Sequence, residues 1–164
     1  MAPRAESGRK SELKTGKMQW RILAIGKPKL PYAKAGIEEY ANRLRHCGTF
    51  QIEYLKSGTK ESECAALLER SVGWRRVVLD ERGTLLGSRA LSDRVTAWEH
   101  QSLGKGTALL IGGADGHTES LRQSADWIWS LTPLTLQHEL ALVVVLEQLY
   151  RAYSIKSGAP YHRD

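Results

Sequence analysis

The stretch LLIGGADG, residues 109–116, joins a short apolar run to a loop in which three of the last five residues are glycine. The apolar run is typical of a buried strand. Loops use glycine where the backbone turns with a positive φ or must approach another group closely. We therefore expect a strand that ends at about residue 111, followed by a loop whose bare backbone faces a ligand. On these eight residues alone, a tight turn without a ligand is an equally good interpretation.

Similar strand-like segments flank this stretch along the chain: WRILAIG, FQIEYL, RRVVLD, TALLIGG and the start of WIWSLTPLTL. Helical patterns separate them over residues 33–46 and 61–72, after Ser88 as an N-cap, after Thr118 in TESLRQSA, and over about 138–155. Strands that alternate with helices form βαβ units. The sequence therefore predicts an α/β fold with a mostly parallel sheet and helices on both faces.

In such a sheet, ligands bind beyond the carboxyl ends of the strands. Three loops qualify: the one after VVLD, the glycine loop and SLTPLTL. Trp127 and Trp129 alternate on the fifth strand, and we interpret them as core residues rather than as platforms for stacking bases.

The composition suits one globular domain over residues 18–164, since the 164-residue chain is 41% hydrophobic. Residues 1–17 are polar and basic, and we expect a disordered extension there, with Met18 as a conceivable internal start. The sequence contains no apolar run of membrane-spanning length and no apolar segment typical of a signal peptide. Its two cysteines, Cys47 and Cys64, have neither metal-type spacing nor a disulfide pattern. These features predict a cytoplasmic protein without a membrane segment.

The formal net charge of +6 raises the question of nucleic-acid binding. Five basic and two acidic residues lie within residues 1–17, so half of the excess charge belongs to that segment. A modest RNA-binding face on the remaining body is therefore left open by charge alone.

Several common ligand-binding motifs are missing from the sequence. The first strand leads into AIGKPKLP rather than a G-x-G-x-x-G loop, and neither a P-loop nor a G-x-S-x-G motif occurs. His117 and Glu119 lie close together, but no second cluster completes a metal site. The sequence therefore argues against a Rossmann dinucleotide site, a P-loop NTPase, a serine hydrolase of the elbow type and a metal centre.

The last third of the chain contains LLIGGADG, WSLTPLTLQHELALVVVLEQLYRAYSI and PYHRD in this order. MQWRILAIGK, AGIEEYANRL and VVLDERG occupy the first half. Together these segments resemble the ribosomal RNA large subunit methyltransferase H family, YbeA-like pseudouridine N3-methyltransferases of the SPOUT class, over about residues 18–164. The resemblance implies a C-terminal trefoil knot that holds S-adenosylmethionine, a homodimer, and a pseudouridine in helix 69 of 23S ribosomal RNA within the assembled ribosome as the substrate.

The resemblance also assigns residues to the site. Those carried over to cofactor binding are Leu79, Gly112, Gly113, Leu131, Thr132, Pro133, Leu134, Thr135 and Leu136. Those assigned to catalysis and RNA contact are His138, Arg151, Tyr161, His162 and Arg163. Each of the second group has a structural alternative: His138 as a helix cap, Arg151 in an i,i+4 ion pair with Glu147, and the tail as a frayed terminus.

The chain departs from the family pattern at Gln137, Glu139 and Leu142, where the family commonly has a proline, another neighbour and an arginine. This leaves a second hypothesis, a non-catalytic RNA-binding protein that kept the fold. A third, an α/β nucleotide-binding oxidoreductase, lacks its dinucleotide motif. Binding of S-adenosylmethionine and a hydride-transfer assay with NAD would separate these hypotheses.

Overall fold

A computed structural model describes residues 18–101 and 104–164; the predicted extension over residues 1–17 lies outside them. Ten elements follow one another: β1 Gln19–Ile25, α1 Pro31–Leu44, β2 Thr49–Leu55, α2 Lys60–Arg70, β3 Arg75–Leu85, α3 Ser88–Gln101, β4 Thr107–Ile111, α4 Glu119–Gln123, β5 Trp127–Ser130 and α5 His138–Ser157. In these two described ranges, no helix combines the length and apolar character needed to cross a membrane.

The five strands form one sheet in the order β2-β1-β4-β3-β5, and every neighbouring pair is parallel. The prediction of a parallel α/β sheet is therefore confirmed. The connection that leaves β1 runs to β2 at one edge of the sheet, whereas the connection that leaves its neighbour β4 runs to β5 at the other edge. A crevice is expected where loops diverge in this way, beyond the carboxyl ends of the central strands.

Apolar residues cover both faces of this sheet. All five residues of β4 are buried, and their side chains alternate between the faces, as the period of two in a strand requires. Leu109 and Ile111 pack with α1, α3 and α5, whereas Ala108 and Leu110 pack with α2 and α4. Because helices cover both faces of the sheet, both sides of β4 are buried, and this explains its uninterrupted apolar sequence.

The helix starts follow their local sequence, with one exception. Thr118 caps α4 as predicted, since its Oγ1 accepts a hydrogen bond of 3.2 Å from the amide of Leu121. The predicted N-cap role of Ser88 is wrong, because Ser88 is already the first helical residue of α3 and its hydroxyl donates to Oε1 of Gln148 at 2.8 Å. A cap must precede the first turn and accept from its free amides.

Helix α5 packs against α1, α3 and the first strand. A side chain on Gly36 of α1 would place its Cβ 2.9 Å from Cγ1 of Val143, so the glycine lets the two helices approach closely. Deeper in the core, Nε1 of Trp20 donates to the hydroxyl of Tyr153 at 2.8 Å. Gly158 ends the helix in the left-handed conformation with φ +73°.

The two tryptophans of β5 behave as predicted. Trp129 is buried in the core that α5 covers, and Trp127 stacks on it with ring centroids 5.6 Å apart. Trp127 also meets Trp98 of α3 edge-on. These contacts place both rings in the packing between the sheet edge and α3.

Candidate functional site

A cavity of about 310 Å³ lies beyond the carboxyl ends of β4 and β5, beside the irregular middle of β3. Its walls include the loops after β4 and β5, as the sequence predicted. The segment after VVLD, which was predicted as a loop, also lines the cavity but is part of β3, because this strand continues to Leu85. Of the residues predicted to bind cofactor, those that line it are Leu79, Gly112, Gly113, Leu131, Thr132, Leu134, Thr135 and Leu136. Pro133 is absent from the lining. The structure therefore brings residues 79, 112–113 and 131–136, which are far apart in the chain, around one space.

An irregularity in β3 supplies the charged wall of the cavity. The strand pairs with β5 up to Leu79 and again from Thr84, so the residues between them leave the ladder. Asp80, Glu81 and Arg82 line the cavity as a result. Oε2 of Glu81 accepts from the hydroxyl of Thr135 at 2.9 Å, which joins this part of β3 to the loop after β5. These residues were not among the predicted site residues, although their position directly after the buried run VVL was a signal.

The charged groups of this wall are held by α4. Arg122 donates from Nη1 to the carbonyl of His117 at 2.7 Å, and the same nitrogen lies 3.4 Å from Oδ2 of Asp80. Both side chains are largely shielded from solvent, with exposures of 13% and 8%. Hydrogen bonding to Glu119 raises the pKa of the Arg122 guanidinium above its ordinary value. Arg122 therefore stays charged and fixes the cavity wall.

The glycines of the loop after β4 make room for other side chains of the chain itself. A Cβ on Gly112 would lie 2.8 Å from Cε1 of His117, and one on Gly113 would lie 2.9 Å from Oε2 of Glu63. Of the loop's three glycines, only Gly116 has a positive φ, +73°. The loop backbone and His117 both line the cavity, and the buried side chains of His117 and Glu63 occupy the space beside Gly112 and Gly113.

The amino end of α5 closes the cavity. His138 contributes to the lining, next to the N-cap residue Gln137, whose Oε1 accepts from the amide of Leu140 at 3.0 Å. Glu139 is buried and accepts from the backbone amides of Lys29 and Leu30. Burial opposes its ionisation, but these hydrogen bonds outweigh it and hold the pKa of Glu139 below its ordinary value.

The three departures from the family pattern therefore have structural roles. Gln137 caps the helix and Glu139 attaches the loop after β1 to it. Leu142 belongs to the core and is 2% exposed. An arginine at position 142 would point into the apolar core of this chain. The leucine found there therefore does not remove a charge from the surface.

The remaining predicted catalytic residues gather near the carboxyl end of α5. Nε of Arg151 donates to Oε1 of Glu147 at 3.1 Å, the helical ion pair that was one of its two interpretations. The same guanidinium lies 3.1 Å, through Nη1, from Nδ1 of His162. Tyr161 donates to Glu147 at 3.0 Å and meets the ring of Tyr150 edge-on. Burial, together with hydrogen bonds to Tyr40 and Glu147, raises the pKa of Tyr161 above its ordinary value.

These contacts bear on the tail as a whole. Tyr161 and His162 are half-buried against α5, so a frayed terminus is the wrong description for them. Arg163 is exposed and makes no polar or ring contact with the described residues. Because a helix rises about 1.5 Å per residue, Arg151 lies roughly 20 Å along α5 from His138. The predicted catalytic residues thus form two separate groups within one chain.

The structure shows no sign of a metal centre in the parts of the chain that it describes, where no three His, Cys, Asp or Glu side chains lie close enough together to hold an ion. His117 and Glu119, the pair noted in the sequence, serve other contacts. His117 supports the glycine loop, and Glu119 accepts from Arg122 at 2.9 Å.

Comparisons with known proteins give consistent results. A family model described as "Predicted SPOUT methyltransferase" matches residues 18–162. Ribosomal RNA large subunit methyltransferase H of Thermus thermophilus is 47% identical over 146 residues, which cover 89% of this chain and 99% of that protein. The protein of the same name from Deinococcus radiodurans is 40% identical over the same shares of the two chains.

Solved structures resemble the fold at low sequence identity. A probable methylase family protein from Haemophilus influenzae superposes with a TM-score of 0.54 and 14% identity, covering 92% of this chain and 72% of that one. A probable methyltransferase from Bordetella pertussis gives 0.51 and 11%, covering 85% and 95%. At these identities the likeness concerns the chain fold alone.

Proposed function

Because the chain belongs to the SPOUT methyltransferase family, among the ribosomal RNA large subunit methyltransferase H proteins, we propose that it methylates large-subunit ribosomal RNA. The observation that carries the proposal is the 47% identity to the Thermus thermophilus protein, which extends over 99% of that protein. The proposed methyl donor is S-adenosylmethionine, and the proposed catalytic unit is a single domain over residues 18–164.

The proposal extends to the reacting atom. The segments LLIGGADG, SLTPLTLQH and PYHRD favour N3 of a pseudouridine in helix 69 of 23S ribosomal RNA, presented by the assembled ribosome. A cytoplasmic location follows from such a substrate. The resemblance also favours a C-terminal trefoil knot, in which residues 131–136 would lie at the threaded segment.

The cavity fits the proposed cofactor in size and chemistry. Its volume of about 310 Å³ falls within the range of small-molecule sites. Leu79, Ile111 and Leu131 supply apolar walls, and the glycine loop supplies backbone polar groups. Leu134 lines the same cavity although it is 71% exposed, so an apolar side chain stands uncovered at its mouth. An aromatic base with polar edges would cover that side chain.

The residues of the chain would act on the incoming nucleotide. Bound S-adenosylmethionine supplies an electrophilic methyl group, so the protein must hold N3 in line with it and exclude water. The N3 proton must leave, and negative charge builds up on N3 and the flanking carbonyls. A hydrogen-bond donor or cation stabilises that charge, and a nearby base removes the proton. His138, on the cavity wall, is the candidate that this chain supplies directly.

We further propose a homodimer in which the tail of one copy completes the cavity of the other. Arg151, Tyr161 and His162 cluster outside the cavity lining of their own chain. Helix α5 also keeps apolar Leu140, Val143 and Val144 only half-buried. A second copy related by a two-fold axis would cover them. Sedimentation that shows a stable monomer at micromolar concentration would contradict this arrangement.

The test of the proposed function is mass spectrometry of ribosomal RNA from a strain that lacks the protein. We expect loss of one methyl group from a pseudouridine, and its return when the intact gene is supplied. Calorimetry with S-adenosylmethionine separates the alternative of a non-catalytic RNA-binding protein, which need not bind the cofactor. An unchanged methylation pattern together with absent cofactor binding would overturn the proposal.

A further inference from the structure

His117 connects two of the segments that form the cavity, strand β3 and the glycine loop after β4. Its Nε2 lies 3.0 Å from the carbonyl oxygen of Leu79, at the end of the regular part of β3. Its ring fills the space that a side chain on Gly112 would need, with Nδ1 3.1 Å from that Cβ position. Leu79 and Gly112 are both proposed cofactor residues. One imidazole therefore sets the spacing between two of the proposed cofactor contacts.

The surroundings of the ring determine its proton. A backbone carbonyl can only accept a hydrogen bond, so Nε2 carries the hydrogen and donates to Leu79. Nδ1 is then an acceptor; it is buried and has no hydrogen-bond partner among the residues that the structure describes. A second proton would have to sit at Nδ1, against the Gly112 backbone, where it finds no acceptor.

The charges that face the ring come from three elements. Asp80 follows the end of regular β3 pairing, Glu63 belongs to α2, and Arg122 belongs to α4. Asp80 and Glu63 favour a charged imidazole, whereas Arg122 opposes it. Burial has the largest effect, and it holds the pKa of His117 below its ordinary value. The ring is therefore neutral at neutral pH.

We propose that His117 is a positioning residue of the cofactor cavity: its neutral Nε2–H form ties Leu79 of β3 to the glycine loop, and a second proton at Nδ1 puts an unpaired buried charge against the Gly112 backbone, which displaces the ring and weakens cofactor binding. The proposal rests on the proposed function, and it adds a pH dependence to the same site. Affinity for S-adenosylmethionine is constant at neutral and alkaline pH, and falls on the acid side of the ordinary histidine pKa.

Two variants separate the hydrogen bond from the bulk of the ring. His117→Gln keeps an N–H donor at about the position of Nε2 but cannot take up a proton in this range. His117→Leu fills similar space and has no donor. We expect His117→Leu to weaken cofactor binding about tenfold, the effect of one hydrogen bond. His117→Gln should bind within about threefold of the parent and lose the acid-side fall.

A third variant tests the contact with Gly112. Gly112→Ala should weaken binding in the parent, because its methyl group would lie 2.8 Å from Cε1 of His117. In a His117→Ala background the ring contacts are gone and the carbonyl oxygen of Gly116 remains at 3.2 Å, so the same change should cost less. Such coupling would show that the two positions contact each other. If the two changes acted independently, Gly112→Ala would weaken cofactor binding equally in both backgrounds, which would contradict the contact.

The experiment is calorimetry with S-adenosylmethionine across the acid and neutral range on the full chain, with thermal melting and ¹⁵N NMR of the imidazole as companion readouts. The NMR spectrum should show a protonated Nε2 and an unprotonated Nδ1 before cofactor is added. If the parent binds no S-adenosylmethionine, the proposed function fails and this inference with it. If the parent binds and His117→Leu matches it at every pH, only the inference about His117 is overturned.

Discussion

The two ends of helix α5 differ in how completely one chain builds a site around them. At the amino end, His138 faces a cavity whose walls come from β3 and from the loops after β4 and β5 of the same chain. At the carboxyl end, Arg151, Tyr161 and His162 contact one another and Glu147, and no cavity residue takes part. Both ends carry residues that the family resemblance assigns to the same reaction.

The difference indicates where each part of the function is encoded. The amino end has what a small ligand needs: enclosure, apolar walls and backbone polar groups. The carboxyl end presents cations and aromatic rings, the groups that contact RNA phosphates and unstacked bases. Changes at the first end should therefore act on cofactor affinity, and changes at the second on transfer to ribosomes.

The largest effect is expected for Gly112→Val. Its branched side chain would start 2.8 Å from Cε1 of His117 and would force the ring or the loop to move. We expect affinity for S-adenosylmethionine to fall by more than about 100-fold, as measured by calorimetry on the folded variant. Gly87→Ala is the matched control, because a Cβ there meets nothing within 4 Å. Unchanged affinity in Gly112→Val would remove the glycine loop from the cofactor site.

Arg163→Ala should lower methyl transfer to ribosomes by about 100-fold at saturating cofactor, the usual cost of losing a positioned electrostatic group. Its melting temperature should match that of the parent, because the Arg163 side chain is exposed and makes no described polar contact. Deleting residues 161–164 should give the same loss of rate, and additionally lower the melting temperature, since Tyr161 packs on Tyr150. Transfer at the parental rate by Arg163→Ala would make this residue a bystander.

Arg151→Ala should affect both rate and stability, and thus distinguish it from Arg163. The guanidinium donates to Glu147 and is 24% exposed, so its loss should cost about 1 kcal/mol of unfolding free energy. Methyl transfer should fall about tenfold or more. Arg151→Lys is the control: it keeps the charge but loses the forked contact to Glu147 and His162. If the lysine variant transfers methyl groups as slowly as the alanine variant, the geometry of the fork matters more than its charge.

The sequence predicted the framework because local patterns carry it. VVL and ALLI are uninterrupted apolar runs and lie in central strands of the sheet, and Thr118 caps its helix through its own side chain. The extension of β3 to Leu85 was missed because Glu81 and Arg82 read as a polar loop. Their departure from the ladder before it resumes at Thr84 is a tertiary feature, and no local pattern reports it.

The support of the glycine loop was also invisible in the sequence. Leu79 lies 38 residues before His117 in the chain, and Glu63, which lies beside Gly113, belongs to α2. Sequence spacing could only suggest that His117 and Glu119 are neighbours. The glycines indicated a close approach, but the approaching groups became evident only when α2 and β3 were placed beside the loop.

The smallest effect is expected on the buried face of α5, where Tyr153 accepts a hydrogen bond from Trp20 inside the core. Tyr153→Phe leaves the Trp20 N–H without its partner, which should cost about 1–2 kcal/mol of unfolding free energy at neutral pH. Cofactor affinity and methyl transfer should stay at the parental level, because the hydroxyl bonds to Trp20 in the core and Tyr153 does not line the cavity. Chemical denaturation measures the first expectation, and calorimetry with a ribosome methylation assay measures the second.

The pH dependence of this variant identifies the hydroxyl as the cause. Burial raises the pKa of Tyr153 from 10.0 to about 12, so the folded state favours the neutral phenol. That contribution to stability is fully present below the unfolded pKa of about 10 and is lost as the pH rises toward 12. The parent should therefore lose stability across this window more steeply than Tyr153→Phe, which has no group to ionise there. Parallel curves for the two proteins would mean that another group titrates, and that this buried face of α5 contributes to stability by packing alone.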